Sequence, residues 1–137
     1  MAGYSGTPLA TKLGIKEGCR VAFPSAPDGF RALLGDLPET ASVKSRVVGP
    51  LDVIVFFTKH RAELERRLPA LRRAMDPAAG LWIAWPKRSS GVETDMTEDV
   101  ARDLGYANRL VDNKVCAIDE TWSGLRLVIR LEDRAYG

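Results

Sequence analysis

The run Leu81-Trp82-Ile83-Ala84-Trp85-Pro86 constrains this chain more than any other stretch. It is apolar without alternation, carries two tryptophans, and stops abruptly at Lys87-Arg88-Ser89-Ser90-Gly91. A strand with no polar alternation needs cover on both faces, as in a sheet layered between helices. A second such run, Val53-Ile54-Val55-Phe56-Phe57, lies upstream. Between the two, Leu64, Leu68, Leu71 and Met75 recur at three- and four-residue spacing, the core stripe of a helix over 61–75. Pro69 falls inside that helix and predicts a kink or a broken turn.

The flanks extend the pattern. Cys19–Phe23 reads as a first strand that stops at Pro24-Ser25-Ala26-Pro27, and Asp28 is placed to cap a helix over 29–34. Val43–Val48 reads as a second strand ending at Gly49-Pro50. Thr97, followed by Glu98 and Asp99, is an N-cap signature for a helix reaching Leu110. Lys114–Ile118 and Leu125–Arg130 make a closing antiparallel pair joined by a six-residue loop, Asp119–Gly124. This order predicts an α/β fold: a Rossmann-like, doubly wound, mostly parallel sheet with an antiparallel C-terminal strand and helices on both faces. One domain is expected over 18–131, preceded by an arm over 1–17 with a short helix at Leu9–Leu13, and followed by a frayed polar tail over 132–137.

Composition narrows the function classes. Twenty basic and eighteen acidic side chains leave a formal charge of +2, too even to imply a nucleic-acid footprint. The arginines at 66, 67, 72 and 73 sit beside Glu63 and Glu65 and read as a solvated helix face. Cys19 and Cys116 lack a CxxC partner and His60 is the lone histidine, so no zinc site is expected and both thiols read as buried. No signal peptide is visible, and the longest apolar run is too short to cross a bilayer, so a cytoplasmic location is expected.

In a doubly wound sheet, ligands bind beyond the carboxyl ends of the strands. Four loops reach that edge. They carry Ser25 and Asp28 after the first strand, and Thr58, Lys59 and His60 after the third. Lys87, Ser89, Ser90 and Gly91 follow the tryptophan strand, and Asp119, Glu120, Thr121 and Trp122 follow the fifth. Lys87 with Ser89 and Ser90 admits a nucleophilic serine, an anion site or a solvated basic turn. Asp95 fits a helix lead-in by its charge alone. Asp119 and Glu120 are adjacent and read as pointing apart rather than sharing acid–base work, whereas Trp122 suits either a ligand wall or the core.

Two resemblances follow from these residues. Pro77–Trp85, with the closing strands Val115–Ile118 and Leu125–Arg130, resembles the helix-exit and last-strand passages of Rossmann-type methyltransferases. Gly3–Leu9, Lys12–Ile15, Leu81–Lys87, Ser90-Gly91, Thr94-Asp95 and Asp119–Leu125 resemble a small bacterial family described only as a domain of unknown function, numbered 3052. That family implies no activity. A methyltransferase would imply S-adenosylmethionine, whose site wants glycines after the first strand and an acid after the second. Here the first loop holds two prolines and one glycine, and Val47-Val48-Gly49-Pro50 offers no acid. The reading from sequence is therefore a non-catalytic binding or regulatory domain with no cofactor. It would take a small anion, a protein partner or a second copy of itself, with a divergent S-adenosylmethionine-dependent methyltransferase as the alternative.

Overall fold

The computed structural model describes residues 7–134. The elements in chain order are α1 (Leu9–Lys12), β1 (Arg20–Ala22), α2 (Phe30–Leu34), β2 (Ser42–Val43), β3 (Leu51–Phe57), α3 (Arg61–Ala74), β4 (Met75–Pro86), α4 (Glu98–Ala107), β5 (Leu110–Ala117), β6 (Trp122–Ile129) and α5 (Leu131–Arg134). The strands form one sheet in the order β2-β1-β3-β4-β6-β5. The pairs β1–β2, β1–β3 and β3–β4 are parallel, and β4–β6 and β5–β6 are antiparallel. The expected Rossmann-like α/β architecture is what forms.

The unalternating strands lie at the centre of the sheet, as their composition demands. Side chains on successive residues point to opposite faces, so β3 and β4 feed two cores at once. Ile54, Phe56, Leu81, Ile83 and Trp85 pack with Leu64, Leu68 and Leu71 of α3 and with Ala101 and Leu104 of α4. Val53, Val55, Phe57, Trp82 and Ala84 pack on the other side with Ala10, Leu13, Phe30 and Leu34. Helix α4 comes close enough to the sheet that a Cβ on Gly105 would lie 2.6 Å from a Leu127 methyl. A side chain there would have to push the Leu127 methyls aside.

The second face has little helix to cover it, and one hydrogen bond compensates. The indole Nε1 of fully buried Trp82 donates to the Leu13 carbonyl at 3.0 Å. This holds the turn after α1 against the sheet, with Leu13 and Ile15 buried beneath it. At the opposite end of β3, Asp52 takes the Arg20 backbone N–H at 2.7 Å and the guanidinium Nε at 2.9 Å. The guanidinium thereby holds the Asp52 carboxyl below the usual range, against a smaller opposing effect of burial.

Several sequence expectations need correction. The second strand is Ser42–Val43 rather than 43–48: its last ladder bond is Lys44 N–H to the Val21 carbonyl at 2.7 Å, and exposed polar residues follow. Asp28 caps nothing; the N-cap is Gly29 at φ 88°, where a side chain would be strained. Pro69 does not break α3, because it lies on the exposed side of the helix, where the carbonyl its ring displaces can turn to water. Helix α4 stops at Ala107 rather than Leu110, since Asn108 Nδ2 caps the Leu104 carbonyl and Arg109 adopts φ 64°. Thr97 does cap α4, accepting from the Val100 N–H at 3.1 Å. The tail begins with α5, and residues 1–6 and 135–137 lie outside the described residues. Among the described residues no helix is long and apolar enough to cross a membrane.

Two outcomes follow from this fold. Trp82→Phe leaves the Leu13 carbonyl without its donor, and should cost about 1–3 kcal/mol in urea unfolding beyond any loss of packing. Asp52 has a depressed folded pKa, so its contribution is complete above its unfolded pKa of about 4 and is lost as pH falls through the lower folded value. Asp52→Asn should therefore remove part of the fall in unfolding midpoint as pH drops below about 4. An acid limb unchanged in slope would contradict that role.

Candidate functional site

The strand order reverses between β1 and β3: β2 lies to one side of β1, and β3 and β4 lie to the other. In open α/β sheets this switch point opens the crevice that takes ligands, beyond the carboxyl ends of the strands. A cleft of about 160 Å³ lies there, lined by residues that include Asp28, Gly29, Phe30, Phe57, Asp119 and Trp122.

Aromatic rings build its wall. Phe23 meets Phe30 edge-on at 5.2 Å between centroids, Phe30 meets Phe57 at 4.8 Å, and Phe57 meets Trp122 at 5.1 Å. Each contact is T-shaped, an edge set on a face, and the chain of contacts buries Phe30 and Phe57 while Trp122 stays half-buried at the cleft. Sequence reasoning singled out Trp122 but not Phe30 or Phe57, which look like ordinary core residues in the chain. Trp122 also differs from expectation in position: it opens β6, paired with Pro86, and is not a loop residue.

Two carboxylates reach the same cleft. Asp119 Oδ1 accepts the backbone N–H groups of Thr121 at 2.8 Å and Trp122 at 2.7 Å, which fixes the turn that presents the indole. Its second oxygen accepts no hydrogen bond among the described residues. Asp28 is exposed on the opposite lip. The turn after β1 reaches this position through two left-handed residues, Ser25 at φ 62° and Gly29 at φ 88°. A Cβ on Gly29 would meet nothing within 4 Å, so a ligand can approach the backbone there.

The remaining sequence candidates form a separate, internally bonded unit beside the cleft. The Lys87 N–H donates to the Thr121 carbonyl at 2.7 Å, joining this turn to the Asp119 loop. Ser90 Oγ donates to the Lys87 carbonyl at 2.6 Å and accepts the Val92 N–H, so it is committed to the turn. Ser89 is exposed, and Gly91 takes φ 76° to close the turn. Asp95 serves the preceding helix rather than the one it leads: its Oδ1 accepts the Arg61 N–H of α3 at 2.7 Å. Nearby, Thr94 Oγ1 donates to the Lys59 carbonyl at 2.6 Å. Buried Thr58 donates to Glu63 at 2.5 Å and accepts the His60 N–H, completing the cap on α3. His60 itself is exposed. Both thiols are half-buried, and burial pushes the Cys116 thiol up, away from nucleophilic use.

The cleft can be tested against S-adenosylmethionine. The half-buried Trp122 ring, two carboxylates and an open backbone at Gly29 suit a nucleoside, whose base stacks and whose ribose hydroxyls donate to carboxylates. The residues therefore fit the adenosine half. Its size falls short of the roughly 300–1,000 Å³ of whole-ligand pockets, so the rest of such a ligand would lie over the rim. No acid follows β2, where Lys44, Ser45 and Arg46 stand. Asp28 and Asp119 supply the acidic groups from other loops.

No protein-family model matches the chain, and no curated protein matches it either. Solved structures share its fold. A SAM-dependent methyltransferase from Aquifex aeolicus superposes with TM-score 0.66 at 17% identity, over 89% of this chain and 88% of the other. Magnesium protoporphyrin IX methyltransferase from Synechocystis PCC 6803, with SAH bound, gives 0.61 at 9% identity, over 89% and 78%. A tRNA methyltransferase of B. subtilis gives 0.53 at 12% identity, over 95% and 68%. At these identities the likeness shows the fold. It also corrects the reading from sequence: these three structures are of methyltransferases, which favours the alternative over a non-catalytic binding domain, and the expectation of no cofactor has no support.

Proposed function

We propose that the chain is a divergent S-adenosylmethionine-dependent methyltransferase that holds its methyl donor in the cleft between β1, β3 and the start of β6. One observation carries this reading. The aromatic and acidic cleft lies at the switch point of a sheet ordered β2-β1-β3-β4-β6-β5, the sheet shared with the methyltransferase structures. When bound, the donor supplies an electrophilic methyl group on sulfur. Trp122 offers a ring for its base, and Asp28 with the second oxygen of Asp119 accepts from its ribose. The open backbone at Gly29 lets the ligand lie close to the chain. Lys87 and Ser89, beside the cleft, are the side chains free to meet a methyl acceptor. Membership of the small family numbered 3052 belongs to the same proposal and adds no chemistry to it.

Titration with S-adenosylmethionine or SAH should raise the melting temperature by about 5 °C at ten times the dissociation constant, as expected for a ligand that binds only the folded state. Asp119→Asn keeps an acceptor for the Thr121 and Trp122 amides but removes the charge, and should weaken binding about ten-fold with the fold intact. Trp122→Ala should weaken it at least as much. If the folded wild-type protein shows neither a thermal shift nor a binding heat with millimolar S-adenosylmethionine and SAH, the proposal is wrong.

A further inference from the structure

Helix α3 carries five arginines, at positions 61, 66, 67, 72 and 73, against two glutamates, Glu63 and Glu65. The +2 charge of the whole chain hides this local excess. In the sequence the last four arginines read as a solvated face beside those two acids. The fold leaves them unbalanced. Glu63 is taken by the buried Thr58 hydroxyl. None of the five arginines forms an ion pair among the described residues. Acids at the two ends of the helix are committed elsewhere: Asp95 accepts the Arg61 backbone N–H, and Asp76 turns to Arg20 and the Ala78 N–H. On neighbouring α4, Glu98 and Asp99 bond Arg102, which also holds Asp112 of β5.

The helix sets these charges out in order. Leu64, Leu68 and Leu71 turn to the core, so the line opposite them, Ala62, Arg66, Pro69 and Arg73, faces water. Arg66 and Arg73 stand two turns apart, about 10.5 Å along the axis. Arg67 and Arg72 flank that line, one on each side. Arg67 is steadied 5.4 Å over the ring of buried Phe56, and the Nε of Arg72 is buried without an acceptor. Only Ala62, Pro69 and Ala70 stand exposed among the arginines, too small to hold a broad partner away. A further cation approaches the last turn. Gly49 lies so close to Ala74 that a Cβ there would be 2.5 Å from its carbonyl oxygen, and Val47 packs on the same core. The segment bearing exposed Arg46 therefore runs past the end of α3.

We propose that the outer face of α3 is a docking surface for the phosphate backbone of a nucleic-acid duplex. A duplex carries one negative charge per about 1.7 Å of its axis. Arginines spread over about 10.5 Å can therefore each meet a phosphate, which no single small anion could offer. Arginine without lysine suits bidentate contact with phosphate oxygens. The exposed line has no large apolar side chain to sink into a bilayer, and no aromatic ring on which unpaired bases would stack. The surface is distinct from the methyl-donor cleft, whose lining includes no residue of α3.

Fluorescence anisotropy with labelled RNA and DNA duplexes of about twenty base pairs, and with their single strands, tests this. Duplex should bind, and log affinity should fall linearly with log salt by about 0.9 per phosphate engaged. Arg66→Gln combined with Arg73→Gln should weaken duplex binding about ten-fold and flatten that slope by about two. Both side chains are exposed, so the double variant should fold as the parent does. Glu65→Gln should tighten binding, and Arg109→Gln, beside the edge strand β5, should leave it unchanged. A duplex bound more tightly than the other identifies the partner, and equal affinities identify backbone charge alone. Any binding of S-adenosylmethionine or SAH should be unchanged in these variants, so the two readings stand or fall separately. No salt-dependent binding of either duplex, binding that survives the double variant, or an equal loss in Arg109→Gln would overturn the proposal. So would stronger binding of the single strands, or binding of polyglutamate or anionic vesicles alone.

Discussion

Everything in this fold depends on the two-sided burial of β3 and β4. Neither strand has a face that tolerates water, so the chain must supply a layer on each side, and it does so unequally. One side receives α3 and α4, with long apolar stripes. The other receives the short α1 and α2, whose few apolar side chains are supplemented by the Trp82–Leu13 hydrogen bond. In water that bond would exchange for solvent bonds at little net gain; inside the core, leaving either group unpaired is what carries the larger cost.

The unequal cover has a functional side. Because α2 is short and starts at a left-handed glycine, the β1 turn does not close over the carboxyl end of the sheet. Four aromatic rings occupy the space that remains, from Phe23 to Trp122, and the cleft is what they do not fill. Where a methyltransferase is expected to carry a glycine-rich cradle, this chain has edge-to-face rings and two carboxylates drawn from different loops. Absence of the usual motif spoke against the cofactor in the sequence, whereas the fold and the cleft chemistry speak for it.

What could be read from the chain follows the range of the interactions involved. Val53–Phe57, Leu81–Trp85 and the Leu64, Leu68, Leu71 stripe announce themselves because burial leaves a periodic signature. Thr97 was legible because its cap is local. The second strand was overextended because Val47 and Val48 read as strand residues, although no ladder bond follows that of Lys44 and only Val47 packs on the core. Asp28 and Asp95 were misread for one reason: each lies before a helix, yet the first caps nothing and the second caps a helix more than thirty residues upstream. Phe30 and Phe57 were invisible as site residues, since an aromatic wall and an aromatic core have the same composition.

The Asp95 cap has a mechanical meaning. Asp95 and Thr94 bind the start of α3, Lys87 binds the Asp119 loop, and Ser90 binds its own turn, so these segments are stitched into one block by backbone-directed hydrogen bonds. Across the cleft, the Pro24–Gly29 turn has no such hydrogen bonds to that block among the described residues, only hydrogen bonds within its own turn, to α2 and to β3. Any widening of the mouth to admit a larger guest is therefore one-sided: the Lys87–Asp95 wall acts as the fixed jaw, and the proline turn is the part that yields.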